Sequence, residues 1–253
     1  MGKPPITLAV AGSLAPALSA FAGAFTAKTG YEVRIHRGPA GLLTRAIRDG
    51  LPAEVFVSAS PDGPRLLHRE GLFGPARPIA QNRMVLAARV NPGGPGDALD
   101  LLAAPHLRIG MSTPGADPSG DYAAAFLDRL IATDPGRWCG LRDRCASLYG
   151  ATLPDGDTPP RSPAMEALCE DRADLLIVYA TTAARIAEAV PGTRILPLPP
   201  KLAPPTEVCA CARCDGSEPA FRFFEELQGP DCAEILHRHG FLVKGRAQLE
   251  GRE

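Results

Sequence analysis

Aromatic residues are scarce in this chain of 253 residues, at 6%, too few for the stacking platforms on which single-stranded nucleic acids or sugars lie. An excess of either charge is missing as well. The 27 basic and 28 acidic residues leave a formal net charge of -1, and no polybasic run supplies the field that nucleic acid requires. No stretch approaches the roughly 20 consecutive apolar residues of a membrane-spanning helix. Nucleophile elbow, Walker loop and dinucleotide fingerprint are all absent. Of the five histidines, His237 and His239 come closest to a ligand pair, but residues two apart point to different sides of a helix. These absences argue against nucleic-acid binding and against catalysis.

The chain opens with Met1-Gly-Lys-Pro-Pro5 and passes straight into the apolar run Ile6-Thr-Leu-Ala-Val10, which leaves no room for the apolar core and cleavage site of a signal peptide. The sequence therefore reads either as a mature or trimmed form or as a protein that stays in the cytoplasm if Met1 is the native start. Seven cysteines leave at least one thiol unpaired in a monomer. A chain of this size holds its core without disulfides, which fits a reducing compartment.

Apolar periodicity alternates between strand and helix, which predicts an α/β fold with parallel sheets and flanking helices. Strands are predicted at 6–11, 31–36, 54–58, 83–90, 106–111, 174–179 and 207–212. Helices are predicted at 14–29, 41–50, 62–71, 120–133, 163–172, 218–227 and 230–239. The proline-rich stretch Leu196-Pro-Leu-Pro-Pro-Lys-Leu-Ala-Pro-Pro205 is excluded from helices and inner strands and reads as a return crossover. Two crossovers predict a first lobe of residues 1–84 and 206–253, a second of 85–205, and a ligand cleft between them.

Four strand-to-helix junctions share one chemistry: Ala11-Gly-Ser-Leu14, Arg37-Gly-Pro-Ala-Gly41, Asp117-Pro-Ser-Gly120 and Pro160-Arg-Ser-Pro163. Each places small residues where a helix begins, so that backbone N–H groups and the helix dipole can receive an oxyanion. The plainer explanation is that Ser13, Ser119 and Ser162 are N-caps, each stabilising its helix by about 1 kcal/mol. Asp117 and Asp121 would repel an anion if they faced it, and are expected to cap the turn and the first helical turn instead.

In chain order, several segments resemble the periplasmic molybdate-binding proteins of ABC transporters. Ile6-Thr-Leu-Ala-Val-Ala-Gly-Ser-Leu14 is similar to their opening strand and turn. The stretch from Leu43 to Ala59 is similar to an "I-x-x-G-x-P-A-D-[VL]-F-x-S-A" pattern. Asn82-Arg-Met-Val-Leu86, Asp117-Pro-Ser-Gly-Asp-Tyr-Ala123, Ala173-Asp-Leu-Leu-Ile-Val-Tyr179 and the closing Leu227–Phe241 match further family patterns. The resemblance implies a two-lobed periplasmic-binding-protein-like fold (type II) and a non-enzymatic, monomeric solute-binding protein. It also implies a molybdate or tungstate ligand, no further cofactor, an ABC permease and ATPase as partners, and a periplasmic location.

Carried over residue by residue, the family's ligand positions fall on Ser13, Ala40, Ser119, Arg161 and Tyr179. Ser13 and Tyr179 keep a donor hydroxyl, and Ser119 stands where the family offers a backbone N–H. Ala40 departs by replacing a serine, and Arg161 by replacing a small apolar residue. An arginine beside a helix start is ordinarily solvated. Pointing inward, Arg161 would instead offset the hydroxyl missing at Ala40 with a charge-assisted bond, and Arg37 is a second such candidate. Cys209, Cys211 and Cys214 would suit a soft metal, but no fourth ligand is near in sequence, and Cys209 and Cys211 also read as small hydrophobes of one strand. A cytoplasmic anion sensor, or a thiol-dependent metal-handling protein on the same fold, is the alternative function.

Overall fold

The computed structural model of the protein describes residues 4–89, 96–153 and 162–243. These fall into two compact units. One holds residues 4–82 and 207–243 together with Leu153, and the other holds 83–89, 96–152 and 162–206.

The first unit is built from β1 (Ile6–Ala11), α1 (Ala15–Thr29), β2 (Val33–Gly38), α2 (Ala40–Arg48), β3 (Val55–Ser58), α3 (Asp62–Arg69) and β4 (Arg77–Asn82). The second runs through β5 (Met84–Ala88), α4 (Ala98–Ala103), β6 (Ile109–Ser112), α5 (Pro118–Thr133), β7 (Cys145–Tyr149), α6 (Pro163–Cys169), β8 (Leu175–Tyr179), α7 (Ala180–Ala189) and β9 (Arg194–Pro197). The chain then returns to the first unit with β10 (Thr206–Ala212), α8 (Glu218–Glu226) and α9 (Pro230–Arg238).

Each unit centres on one five-stranded sheet, in the orders β2-β1-β3-β10-β4 and β7-β6-β8-β5-β9. The sheets are mixed, which corrects the expectation of parallel sheets. β1 lies parallel to β2 and β3, and β6 parallel to β7 and β8. β10 runs antiparallel to β3, and β5 antiparallel to both β8 and β9. The exceptions are the strands that carry the chain between units. β5 follows β4 after the single residue Arg83 and opens the second sheet. The proline-rich stretch begins within β9 at a sheet edge, where a missing N–H is tolerated.

Helix α1 shows how sequence sets these elements. Leu18, Phe21, Ala22 and Phe25 recur at helical spacing and are buried, Pro16 falls in the first turn, and Gly30 ends the helix at φ 73°. Phe21 and Phe25 meet Phe223 of α8 edge to face, with ring centroids 5.1 and 4.9 Å apart. In the second unit Val85, Ala87, Leu176 and Val178 of the sheet pack against Ala164, Ala167 and Leu168 of α6 and Ala183 and Ile186 of α7.

β4, α4, β7, α7 and β9 go beyond the elements that the sequence pattern predicts. β7 lies at a sheet edge, largely outside the core, so it lacks the run of apolar residues that marks buried strands. α4 has six residues, under two turns and too short for a helical period to register. Among the described residues no helix is long and apolar enough to cross a membrane.

Candidate functional site

The C-terminal ends of the parallel strands gather the polar residues of each unit, where ligands of open α/β sheets bind. In the first unit Ala11 of β1 is paired in register with Gly38 of β2. The two following turns, and with them Ser13 and Ala40, therefore emerge side by side. Residues Gly12–Leu14 form a 3-10 turn whose N-cap is Ala11, and the N-cap of α1 is Leu14. Half-buried Ser13 is thus not a capping residue. Ala40 is buried at the first turn of α2, whose N-cap Pro39 offers no side-chain acceptor. The first-turn N–H groups of α2 lack a side-chain cap, leaving them as donors for an anion. Ser58 and Ser60, buried at the end of β3 next to them in the sheet, add two hydroxyls that sequence reading did not single out. Both accept locally, Ser58 from the Ser60 N–H (3.2 Å) and Ser60 from the Asp62 N–H (3.4 Å).

In the second unit β6 pairs with β7 through a register shift between Met111 and Ser112, so that Ser112 meets Tyr149. Bulges of this kind re-aim side chains at strand ends. The Ser112 hydroxyl lies 2.6 Å from Asp117 Oδ2, and the Thr113 N–H and hydroxyl both donate to the Tyr149 carbonyl at 2.8 Å. Asp117 is the N-cap of α5, accepting from the Ser119 N–H at 3.3 Å. Asp121 accepts from the Gly115 N–H at 2.7 Å. Both aspartates therefore secure the turn, as expected. Ser119 is a buried residue of the first turn rather than a cap, whereas Ser162 is a true N-cap, accepting from the Met165 N–H at 3.3 Å. Two glycines allow this close packing. A Cβ on Gly120 would come within 2.5 Å of the Ser112 carbonyl oxygen, and one on Gly150, where φ is +82°, within 2.1 Å of the Ser112 hydroxyl.

Tyr179 ends β8 and is buried, its ring edge-on to that of Tyr122 at 6.3 Å. Burial and the nearby Asp117 carboxyl push the phenols of both Tyr179 and Tyr149 well above their ordinary values, so both stay protonated. Burial also raises Asp117, and its bonds from Ser112 and Ser119 only partly oppose that. Tyr122 and Tyr149 are the residues of this cluster that sequence reading passed over. The available signal was Ser147-Leu-Tyr-Gly150, an alternating edge strand stopped by a glycine.

The structure thus brings Ser13 beside Ala40 in one unit and places Ser119 and Tyr179 in one polar cluster of the other. Arg161 lies outside the described residues. Two of the three clustered cysteines behave as core. Cys209 and Cys211 are buried in β10, and burial pushes the Cys209 thiol up to about 11 and Cys211 higher still. Such thiols resist forming the thiolate that a soft metal binds. Cys214 is exposed, and among the described residues no group of three or more His, Cys, Asp or Glu could hold a metal ion.

The profile of the bacterial extracellular solute-binding protein family matches residues 6–242. An uncharacterized protein of Pasteurella multocida is 34% identical over 175 residues, 68% of this chain and 72% of that protein. The molybdate-binding protein ModA of Azotobacter vinelandii is 31% identical over 134 residues, 51% of this chain and 52% of that protein. Among solved structures, the periplasmic molybdate-binding protein of Azotobacter vinelandii shares the fold at a TM-score of 0.77 and 23% identity, covering 94% of this chain and 99% of that one.

Proposed function

The chain belongs to the bacterial extracellular solute-binding protein family, and from that premise we propose that its solute is a tetrahedral oxyanion, molybdate or tungstate, which it delivers outside the cytoplasmic membrane to the permease and ATPase of an ABC importer. A member of this family binds and releases its solute without chemical change, so the chain is not an enzyme.

One observation carries the ligand class. Each unit ends its parallel strands in helix starts furnished with hydroxyls, the first with Ser13 and the α2 N-terminus, the second with Ser119 and the protonated phenol of Tyr179. Neutral donors of fixed direction hold an oxyanion without a basic field, which suits a chain of net charge -1. The likeness to molybdate-binding proteins supports the same reading. In this proposal Ser13, Ala40, Ser119, Arg161 and Tyr179 are the residues that receive the oxyanion. Exclusion of water strengthens their bonds, because a buried anion left without partners is very costly. Titration with molybdate, tungstate, sulfate and phosphate tests the proposal.

A further inference from the structure

The donor at the start of α5 already carries an internal acid. Asp117 Oδ1 accepts from the Ser119 N–H and its Oδ2 from the Ser112 hydroxyl, so an oxyanion that reaches Ser119 also reaches a carboxyl group. We propose that oxyanion binding by this chain is coupled to one proton, which sits between the Asp117 carboxyl and an oxygen of the bound anion. This rests on the oxyanion reading above and adds the protonation state in which the anion is held.

Two negative oxygens at hydrogen-bonding distance in a buried place repel strongly. A proton between them turns that repulsion into a short charge-assisted O–H···O bond. Among the described residues, the groups around Asp117 are neutral or acidic. Ser112 of β6 contributes a neutral hydroxyl, Tyr149 of β7 and Tyr179 of β8 contribute protonated phenols, and α5 itself contributes Tyr122 and the like charge of Asp121. Burial holds Asp117 above the usual carboxylate range before any anion arrives, and a bound dianion would drive it further in the same direction.

A second observation points to a ligand at this place. The phenolic oxygen of Tyr149 is buried, lies within electrostatic reach of Asp117, and has no hydrogen-bond partner among the described residues. A buried O–H without an acceptor is destabilising, and an anion oxygen beside Asp117 would satisfy it.

The proton's source depends on the anion. Molybdate, tungstate and sulfate arrive fully deprotonated at neutral pH, so the Asp117 carboxylate takes one proton from solvent and the resulting carboxylic acid donates to the anion. Hydrogen phosphate brings its own O–H, which donates to the carboxylate with no uptake from solvent.

Calorimetric titration of the full chain with sodium molybdate, at one pH in buffers of different ionisation enthalpy, counts the protons. The expected result is uptake of about one proton per anion, with Kd rising about tenfold per pH unit between the Asp117 values of the free and bound states. In Asp117→Asn the side-chain amide replaces the acid as donor and still caps α5, so uptake falls to near zero and Kd becomes flat with pH. Molybdate or tungstate bound without proton uptake by the native chain overturns the inference and leaves the ligand reading intact. So does uptake that persists unchanged in Asp117→Asn. A chain that binds neither anion between about pH 5 and 8 overturns the ligand reading and the inference together. Should Asp117→Asn fail to fold, the buffer dependence of the native chain still decides.

Discussion

The Ser112 hydroxyl donates to Asp117 Oδ2 over 2.6 Å, tying the end of β6 to the start of α5 across the turn that separates them. Among the described residues this is one of two hydrogen bonds to the half-buried Asp117 carboxyl, the other coming from the Ser119 N–H. It does not offset the whole cost of burial, since Asp117 stays above the ordinary carboxylate range.

A raised carboxyl fixes the sign of a pH effect. Asp117 contributes stability that is fully present below its unfolded value, about 4, and is lost as pH rises through its higher folded value. Asp117→Asn, which keeps the shape and the cap but cannot ionise, is expected to melt higher than the native chain at neutral pH. Its melting temperature should also vary less between acid and neutral solution. Scanning calorimetry without ligand checks both. A lower melting temperature at neutral pH with an unchanged slope would contradict this.

Gly120 is expected to tolerate no side chain. The Cβ of Gly120→Ala would lie 2.5 Å from the Ser112 carbonyl oxygen and 2.6 Å from the Pro114 nitrogen, and backbone atoms cannot step aside as a flexible side chain can. Overpacking of this kind costs about 1–3 kcal/mol, so urea denaturation should show a loss of that size. Gly23→Ala, where nothing lies within 4 Å of the new Cβ, serves as the control and should gain slightly from helix propensity.

The cysteines should divide by burial. Cys139, Cys169 and Cys214 are exposed, whereas Cys209, Cys211 and Cys232 are buried, with burial pushing Cys232 up to about 12. A thiol reagent at neutral pH is expected to modify the exposed group quickly and the buried group only after denaturation. Replacing Cys209, Cys211 and Cys214 together by Ala or Val should leave anion affinity within about threefold while lowering stability through lost packing. Stoichiometric zinc or copper retained by the native chain and lost in that variant would contradict a packing role.

Arg161 bears on which anion is preferred. If it faces the anion, Arg161→Ala should weaken binding by about 1.5–3 kcal/mol, the range for hydrogen bonds to charged groups. Arg161→Lys should recover only part, lacking the planar fork. Ser13→Ala should weaken the same titration by about 1–3 kcal/mol. Unchanged affinity in Arg161→Ala would leave the arginine in solvent.

Much of this molecule was legible in its sequence, for particular reasons. α1 declared itself through four apolar residues at helical spacing ended by Gly30, and β8 through the wholly buried run Leu175–Tyr179. Strand direction was less legible, because the wholly buried pattern of β5 is that of any buried strand, parallel or antiparallel. At the second-unit cluster Tyr179 could be identified by resemblance. Tyr149 could not, since it ends an exposed edge strand, and its place beside Asp117 depends on the register shift at Ser112. Asp117 was recognised as a cap. That its carboxyl is largely desolvated is a property of packing by β6, β7 and Gly150, which one-dimensional spacing does not carry.

The oxyanion assignment meets its most direct test in calorimetric titration of the native chain with molybdate, tungstate, sulfate and phosphate under identical salt. Fixed donors of this kind should bind molybdate and tungstate at least about tenfold tighter than sulfate. Affinity should change little with ionic strength, because local donors rather than a basic field hold the ligand. Sulfate or phosphate bound as tightly as molybdate, or no heat from either molybdate or tungstate, would contradict it.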